Sequence, residues 1–207
     1  MIIVTGGAGF IGSNIVQELS KTNKVVICDK LNDPVKKKNI DSIKGIKIIK
    51  IQEIFLFVEK NKKKISAVIH MGAISATDET NLELLLNNNY LYSLKLFNIC
   101  NKYNIKFIYA SSAATYGNSF DYYDDKNSFD NFLTLKPINY YGLSKHLFDL
   151  HILGLINSGK KLGSNPVGLK FFNVYGPNEL HKGFMMSPVP KFLKEIKKTK
   201  RLKLFKS

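Results

Sequence analysis

Tyr141 and Lys145 stand four residues apart in the run Tyr141-Gly142-Leu143-Ser144-Lys145, a spacing that puts both side chains on one face of a helix. A phenol with an ordinary pKa of about 10 is a poor base at neutral pH. An ammonium one turn away stabilises the phenolate, lowers that pKa and makes the tyrosine a usable acid/base. The chain holds ten tyrosines and many lysines, and Tyr122 with Lys126 shows the same spacing. Context separates the two pairs. Tyr122 falls in a locally acidic, aromatic stretch over 121–130 that reads as an irregular surface loop, whereas Tyr141 opens an apolar-periodic segment. Ser111 and Ser112 end the preceding apolar run. A hydroxyl there can bond the oxygen being oxidised, since open parallel sheets bind ligands at the carboxyl ends of their strands. The plainer role for such a serine is to cap a turn. With the Tyr/Lys pair downstream, the chemical role is the better reading for a serine here, Ser111 or Ser112.

A second constellation opens the chain. Gly6-Gly7-Ala8-Gly9-Phe10-Ile11-Gly12 spaces Gly6, Gly9 and Gly12 three apart, between a first apolar run and a first helical pattern. Glycine permits the tight turn, lets backbone approach a pyrophosphate and allows the helix to pack closely on the sheet. The N–H groups at the helix start then face the phosphates, where the helix dipole favours negative charge. Asp29 ends the second apolar run, 17 residues beyond Gly12, and a carboxylate there accepts from the adenosine ribose. Asp29 alone favours NAD, because it repels a 2′-phosphate. Lys30 and Lys36 to Lys38 supply the opposite charge, so these residues leave the two dinucleotides open.

The elements that must position these groups alternate regularly. Strands are expected over 2–5, 24–28, 46–50, 66–70, 106–110 and 167–172. Helices are expected over 11–20, 53–60, 81–103, 140–156 and 192–200, with a further strand beginning over 202–205. The strands are continuous apolar runs, the pattern of a parallel sheet covered on both faces. Right-handed crossovers then give an α/β, doubly wound fold of the Rossmann type.

Composition narrows the class. At 207 residues and 44% hydrophobic content the chain is long enough for one cored domain plus part of another. No run approaches the roughly 18 apolar residues of a membrane span, and the amino terminus lacks the basic n-region of a signal peptide. The net charge of +15 invites a nucleic-acid reading. However, Arg201 is the one arginine against thirty lysines, and base readout favours arginine. The runs Lys36–Lys38 and Lys62–Lys64 read as solvated faces without interleaved aromatics. Neither a nucleic-acid nor a membrane partner is expected. Cys28 and Cys100 form no C-x-x-C pair and read as small core residues in a reducing, cytoplasmic setting.

The Gly-rich turn, the serine and the Tyr-x-x-x-Lys together resemble extended short-chain dehydrogenases/reductases, the NAD-dependent epimerase/dehydratase family. The resemblance is carried by MIIVTGGAGFIGSN (1–14), YASSAATYG (109–117), YGLSKHLF (141–148), FNVYGP (172–177) and His181-Lys182-Gly183. Within that family these segments are most similar to the ADP-heptose 6-epimerases of lipopolysaccharide core biosynthesis. The resemblance implies an isomerase in which bound NADP, rather than NAD, oxidises the heptose side-chain carbon and returns the hydride to the opposite face. It implies Tyr141 and Lys182 as the two acid/base groups, with Lys145 on the nicotinamide ribose and Ser112 assisting as a catalytic and substrate-touching residue. Cofactor contacts map onto Phe10, Ile11, Asp29, Lys30, Lys36, Asn88 and Val174, and Asn173 matches a substrate position. It leaves a homo-oligomer open. Met71 departs from the usual glutamate, while Phe184 and Lys191 depart from the usual serine and histidine, with Phe184 bulky enough to narrow the pocket. On this resemblance residues 1–172 form the dinucleotide domain and 173–207 begin a substrate domain that is incomplete. A different sugar-nucleotide epimerase or dehydratase, and an NADP-binding remnant without turnover, are the alternatives.

Overall fold

The alternation of apolar runs and helical segments resolves into one six-stranded sheet. The computed structural model describes residues 1–118 and 128–202. Its strands are β1 (Ile2–Thr5), β2 (Val25–Cys28), β3 (Lys47–Ile49), β4 (Ala67–His70), β5 (Lys106–Ser112) and β6 (Val167–Phe171). All pair in parallel in the order β3-β2-β1-β4-β5-β6, the order of a doubly wound dinucleotide fold. Between and after the strands lie α1 (Phe10–Leu19), α2 (Pro34–Lys38), α3 (Ile54–Asn61), α4 (Leu82–Leu85), α5 (Tyr92–Lys102), α6 (Phe129–Thr134), α7 (Tyr140–Asn157) and α8 (Pro188–Thr199).

The period-2 pleat divides the apolar residues between two cores. Ile3, Val26, Val68 and Phe107 meet Leu96, Phe97 and Phe148 from the helices in one cluster. Val4 and Ile27 meet Ala8, Val16 and Ile40 in the other. Cys28 and Cys100 are free and buried in the first cluster. Among the described residues, no helix is long and apolar enough to cross a membrane.

Several expectations needed correction. β6 is not a buried run: Val167 and Leu169 are exposed, because β6 is the sheet's edge. β5 runs two residues further than expected, since Ser111 and Ser112 keep register with Lys170 and Phe171. α2 and α6 were not foreseen, being too short to show a period; each is set by its cap, Asp33 with Pro34 behind it, and Ser128. α8 starts at Pro188, where the fixed φ of proline suits a first turn. The long helix over 81–103 is not uniform, because a π-turn (Leu86–Leu91) separates α4 from α5. The Tyr122/Lys126 pair and residues 203–205 of the expected last strand lie outside the described residues.

The turn between β1 and α1 leaves no room for side chains at two of its glycines. Gly6 sits at φ +64°, and a Cβ on it would lie 2.7 Å from the Gly72 nitrogen. A Cβ on Gly12 would lie 2.1 Å from the Gly6 carbonyl oxygen, well inside contact distance. Gly12→Ala is therefore expected to cost at least about 2 kcal/mol, as overpacking against backbone does. Urea denaturation measures this, with Gly9→Ala, at a roomier position, losing far less.

Candidate active site

The Gly-rich turn shapes the start of α1 as a place for an anion. Gly9 is the N-cap residue, no side chain caps the helix, and its first turn holds no acid. The first N–H groups of a helix have no intrahelical acceptor, so here they are available to a ligand. An added Cβ on Gly9 would meet only the Gly6 carbonyl oxygen at 3.1 Å and the Lys36 Cε at 4.0 Å. Gly6 and Gly12 are thus glycines for the fold's own packing, and Gly9 is the one whose missing side chain leaves room for something else.

Asp29 lies directly behind this turn, only 6% exposed. Its Oδ2 accepts from the Ala8 N–H at 2.9 Å. Its Oδ1 accepts from the Lys30 N–H at 2.7 Å and from Lys36 Nζ at 2.5 Å. The lysine run expected to be solvated is so only in part, because Lys36 turns in to neutralise Asp29 while Lys37 and Lys38 stay exposed. Lys62–Lys64 are exposed as expected.

Ser112, Tyr141 and Lys145 come together where the carboxyl end of β5 meets the start of α7. Asn139 caps α7 by accepting from the Gly142 N–H at 2.7 Å, and the first turn of that helix carries Tyr141. Ser112, 9% exposed, hydrogen-bonds the Tyr141 hydroxyl. It also caps the turn over Ala113–Thr115 through the Ala114 N–H, so its plain role and its chemical one coexist. Lys145 is 3% exposed one turn on. Burial holds its ammonium down to about 8, against the pull of the Asp149 carboxylate. The expected lowering of the Tyr141 pKa is not found: burial raises it, opposed by the Ser112 hydrogen bond. Desolvation of the phenolate outweighs any help from the neighbouring charge.

Beneath these groups runs a chain of buried polar contacts that sequence inspection missed. The Gly72 N–H donates to Thr5 Oγ1 at 3.1 Å, and Thr5 Oγ1 lies 2.6 Å from His70 Nδ1. His70 Nε2 lies 2.8 Å from Ser93 Oγ, which itself donates to the Asn89 carbonyl at 2.7 Å. Ser93 has spent its proton, so His70 must donate through Nε2 and accept from Thr5 through Nδ1. The Asn89 side chain, placed by the π-turn, pairs with both backbone groups of Ile74 and donates to Ser144 Oγ at 3.0 Å. Only the periodicity of 81–103 hinted at this helix, and nothing in it singled out Asn89. Asn88, the position given by resemblance, instead donates to the Leu84 carbonyl.

A third segment folds back over α1. Asn178 donates to Ser13 Oγ at 3.0 Å, and Asn14 donates to the Pro177 carbonyl at 3.1 Å. Asn39 donates to the Ala8 and Asn178 carbonyls and lies 3.2 Å from His181 Nδ1. Buried Glu179 holds this segment in shape by accepting from the Gly176 and Ser187 N–H groups and the Ser187 hydroxyl. Those bonds keep its carboxyl below the usual range despite the opposing effect of burial. Lys182 is placed above the Phe10 ring, 5.4 Å from its centroid, so it sits beside the Gly-rich turn. Asn173 and Val174 are exposed just beyond β6. Phe184 is 75% exposed and so narrows no pocket here, and Lys191 donates to its carbonyl. Met71 follows β4, half-buried.

The doubly wound sheet thus carries a Gly-rich first turn with an uncapped helix start and, at its carboxyl edge, the Ser112, Tyr141 and Lys145 side chains. The sequence profile of the NAD dependent epimerase/dehydratase family matches residues 2–207, and the chain belongs to that family. It is 44% identical over 211 residues to the ADP-L-glycero-D-manno-heptose-6-epimerase of Fusobacterium nucleatum, covering 100% of this chain and 62% of that protein. The crystal structure of Helicobacter pylori ADP-L-glycero-D-manno-heptose-6-epimerase superposes with a TM-score of 0.80 at 32% identity, covering 99% of this chain and 65% of that one. UDP-glucuronic acid 4-epimerase from Bacillus cereus, solved in complex with NAD, gives a TM-score of 0.73 at 27% identity, over 99% of this chain and 65% of that one. The chain spans less than two thirds of the length of these relatives.

His70 makes the polar chain sensitive to acid. Burial, with the Lys145 charge second, pushes its pKa down to about 3, so the folded state keeps it neutral where an unfolded histidine takes up a proton below about 6.5. Unfolding is then favoured as pH falls from about 6.5 towards 3, by up to about 1.4 kcal/mol per unit. Urea midpoints measured over that range are expected to fall with this slope, and His70→Gln to flatten it.

Proposed function

We propose that this chain carries the cofactor-binding and proton-transfer part of an ADP-heptose 6-epimerase, interconverting ADP-D-glycero- and ADP-L-glycero-D-manno-heptose with NADP held in place. The observation that carries the reading is the Ser112–Tyr141 hydrogen bond beside Lys145 at the sheet's carboxyl edge, on a fold whose Gly-rich turn offers an uncapped helix start. The identity of 44% to a protein of that name supports the substrate class. Residues 1–172 form the dinucleotide domain, and 173–207 begin a substrate domain. A cytoplasmic setting follows the two buried free thiols.

The residues present fit a dinucleotide. The free N–H groups at the start of α1 and the open space over Gly9 suit a pyrophosphate. Lys36 neutralises Asp29 at 2.5 Å, which removes the repulsion a 2′-phosphate would otherwise meet and supports NADP over NAD. Phe10, Ile11 and Lys30 border the same turn. When bound, the dinucleotide supplies the reversible hydride transfer that inversion of a carbinol carbon requires. Tyr141 takes and returns the hydroxyl proton of the sugar, with Ser112 holding the oxygen in line. Lys145 holds the nicotinamide ribose and stabilises the phenolate as it forms. Lys182, on the segment that closes over α1, is the second acid/base group. Asn173 contacts the sugar.

Tyr141→Phe is expected to lower turnover of ADP-heptose by at least 10³-fold, near the range for a lost general acid/base, while NADPH binding by fluorescence stays within about threefold. Persistent turnover removes the assignment. Gly9→Val is expected to fold once the Gly6 carbonyl, 3.1 Å from an added Cβ, gives by a few tenths of an ångström, and to bind no dinucleotide, because its side chain fills the place of a diphosphate. Comparison of ADP-heptose with UDP-hexoses decides between this and a different sugar-nucleotide epimerase, and dinucleotide binding without conversion of any of them marks a non-catalytic binding chain.

A further inference from the structure

One buried acid takes no part in the mechanism above. Asp149 lies on α7, one turn beyond Lys145, and is 2% exposed. Its Oδ2 accepts from Ser111 Oγ at 2.5 Å and from Lys170 Nζ at 3.1 Å. Its Oδ1 is buried with no hydrogen-bond partner among the described residues. Lys170 on β6 also donates to Thr115 Oγ1, which in turn donates to the Ser112 carbonyl at 2.8 Å. The ammonium of Lys170 lies 4.8 Å from the Tyr116 ring centroid and 4.6 Å from that of Phe132. Ser111 and Thr115 thus flank Ser112 on both sides, and both lead back to one carboxylate.

We propose that Asp149 is a positioning residue, which ties the carboxyl ends of β5 and β6 to α7 so that Ser112 and Lys145 meet Tyr141 in one fixed arrangement. The inference rests on the dinucleotide reading given above and deepens it. A buried carboxylate with one oxygen unbonded keeps much of its charge uncompensated by hydrogen bonds. The cations that answer it are Lys170 from β6 and Lys145 from its own helix. Tyr109 from β5 and His146 on α7 also feel it. The Lys145 charge also acts on His70 from β4, helping burial to keep that ring neutral. Asp149 is therefore the acid that counters burial at Lys145. Without it burial acts on the lysine unopposed and favours the neutral amine, which neither stabilises a phenolate nor serves the cofactor as a cation.

The test uses Asp149→Asn, which keeps shape and removes charge, and Asp149→Glu, which restores the charge. The readouts are the pH titration of the Lys145 13Cε resonance and NADPH fluorescence across pH 6–9. In Asp149→Asn the Lys145 midpoint is expected to fall by at least one pH unit, and NADPH binding at pH 7.5 to weaken about tenfold. Asp149→Glu is expected to recover most of both. A folded Asp149→Asn protein with an unmoved Lys145 titration overturns the proposal. Should that variant fail to fold, the wild-type protein decides alone: the Asp149 13Cγ resonance must register the Lys145 titration near pH 8, and a flat response overturns it. Wild-type protein that binds no dinucleotide, yet shows the Lys145–Asp149 coupling, would instead sink the cofactor reading and leave the coupling standing.

Discussion

The contact between the Gly6 carbonyl and the backbone of Gly12 decides where everything else can go. No side chain fits between them, so α1 seats its first turn directly on the end of β1. That seating leaves the helix start uncapped by protein and brings Ala8 onto Asp29. It also presents Ser13 and Asn14 to the segment that returns from β6. Parts of the chain from 21 to 165 residues apart thus meet around a turn whose defining property is the absence of Cβ atoms. A turn with side chains would push the helix outward, and the phosphate-sized opening would close with it.

The second feature is a deliberate use of desolvation. Lys145 and His70 are both nearly inaccessible, and burial moves both towards their neutral forms. One is rescued and the other is not: Asp149 answers the lysine, while the histidine finds only hydroxyls. The histidine therefore acts as a rigid hydrogen-bond strut between the end of β1 and α5. The lysine keeps a charge that can be spent on chemistry. The same dryness raises Tyr141.

Much of this was legible before any coordinates. The six strands, their parallel arrangement and the positions of Gly6, Gly9, Gly12, Asp29, Ser112, Tyr141 and Lys145 followed from apolar runs, glycine spacing and helical periodicity, all of which are local signals. What escaped was non-local. Asp149 and Lys170 looked like an ordinary helix acid and an ordinary strand lysine, because their partnership exists only once β6 lies beside β5. Asn89 was indistinguishable from its two asparagine neighbours until the π-turn chose one to face inward. Lys182 was legible as a position but not as a placement: its spacing gave no hint of the Phe10 ring beneath it. β6 showed the converse error, since an apolar run does not reveal that it will occupy a sheet's edge.

The π-turn carries a further implication for how this region can vary. It accommodates one residue more than a regular helix would over the same rise, and each residue advances a helix by about 100°. Deleting a single asparagine from Asn87–Asn89 would let α4 run smoothly into α5. The flanks would keep their faces, and what would be lost is the wide turn that aims Asn89 inward. Such a shortened chain would keep its core and lose its clasp on Ile74 and Ser144 together, so that drift in length here is constrained far more tightly than drift in composition.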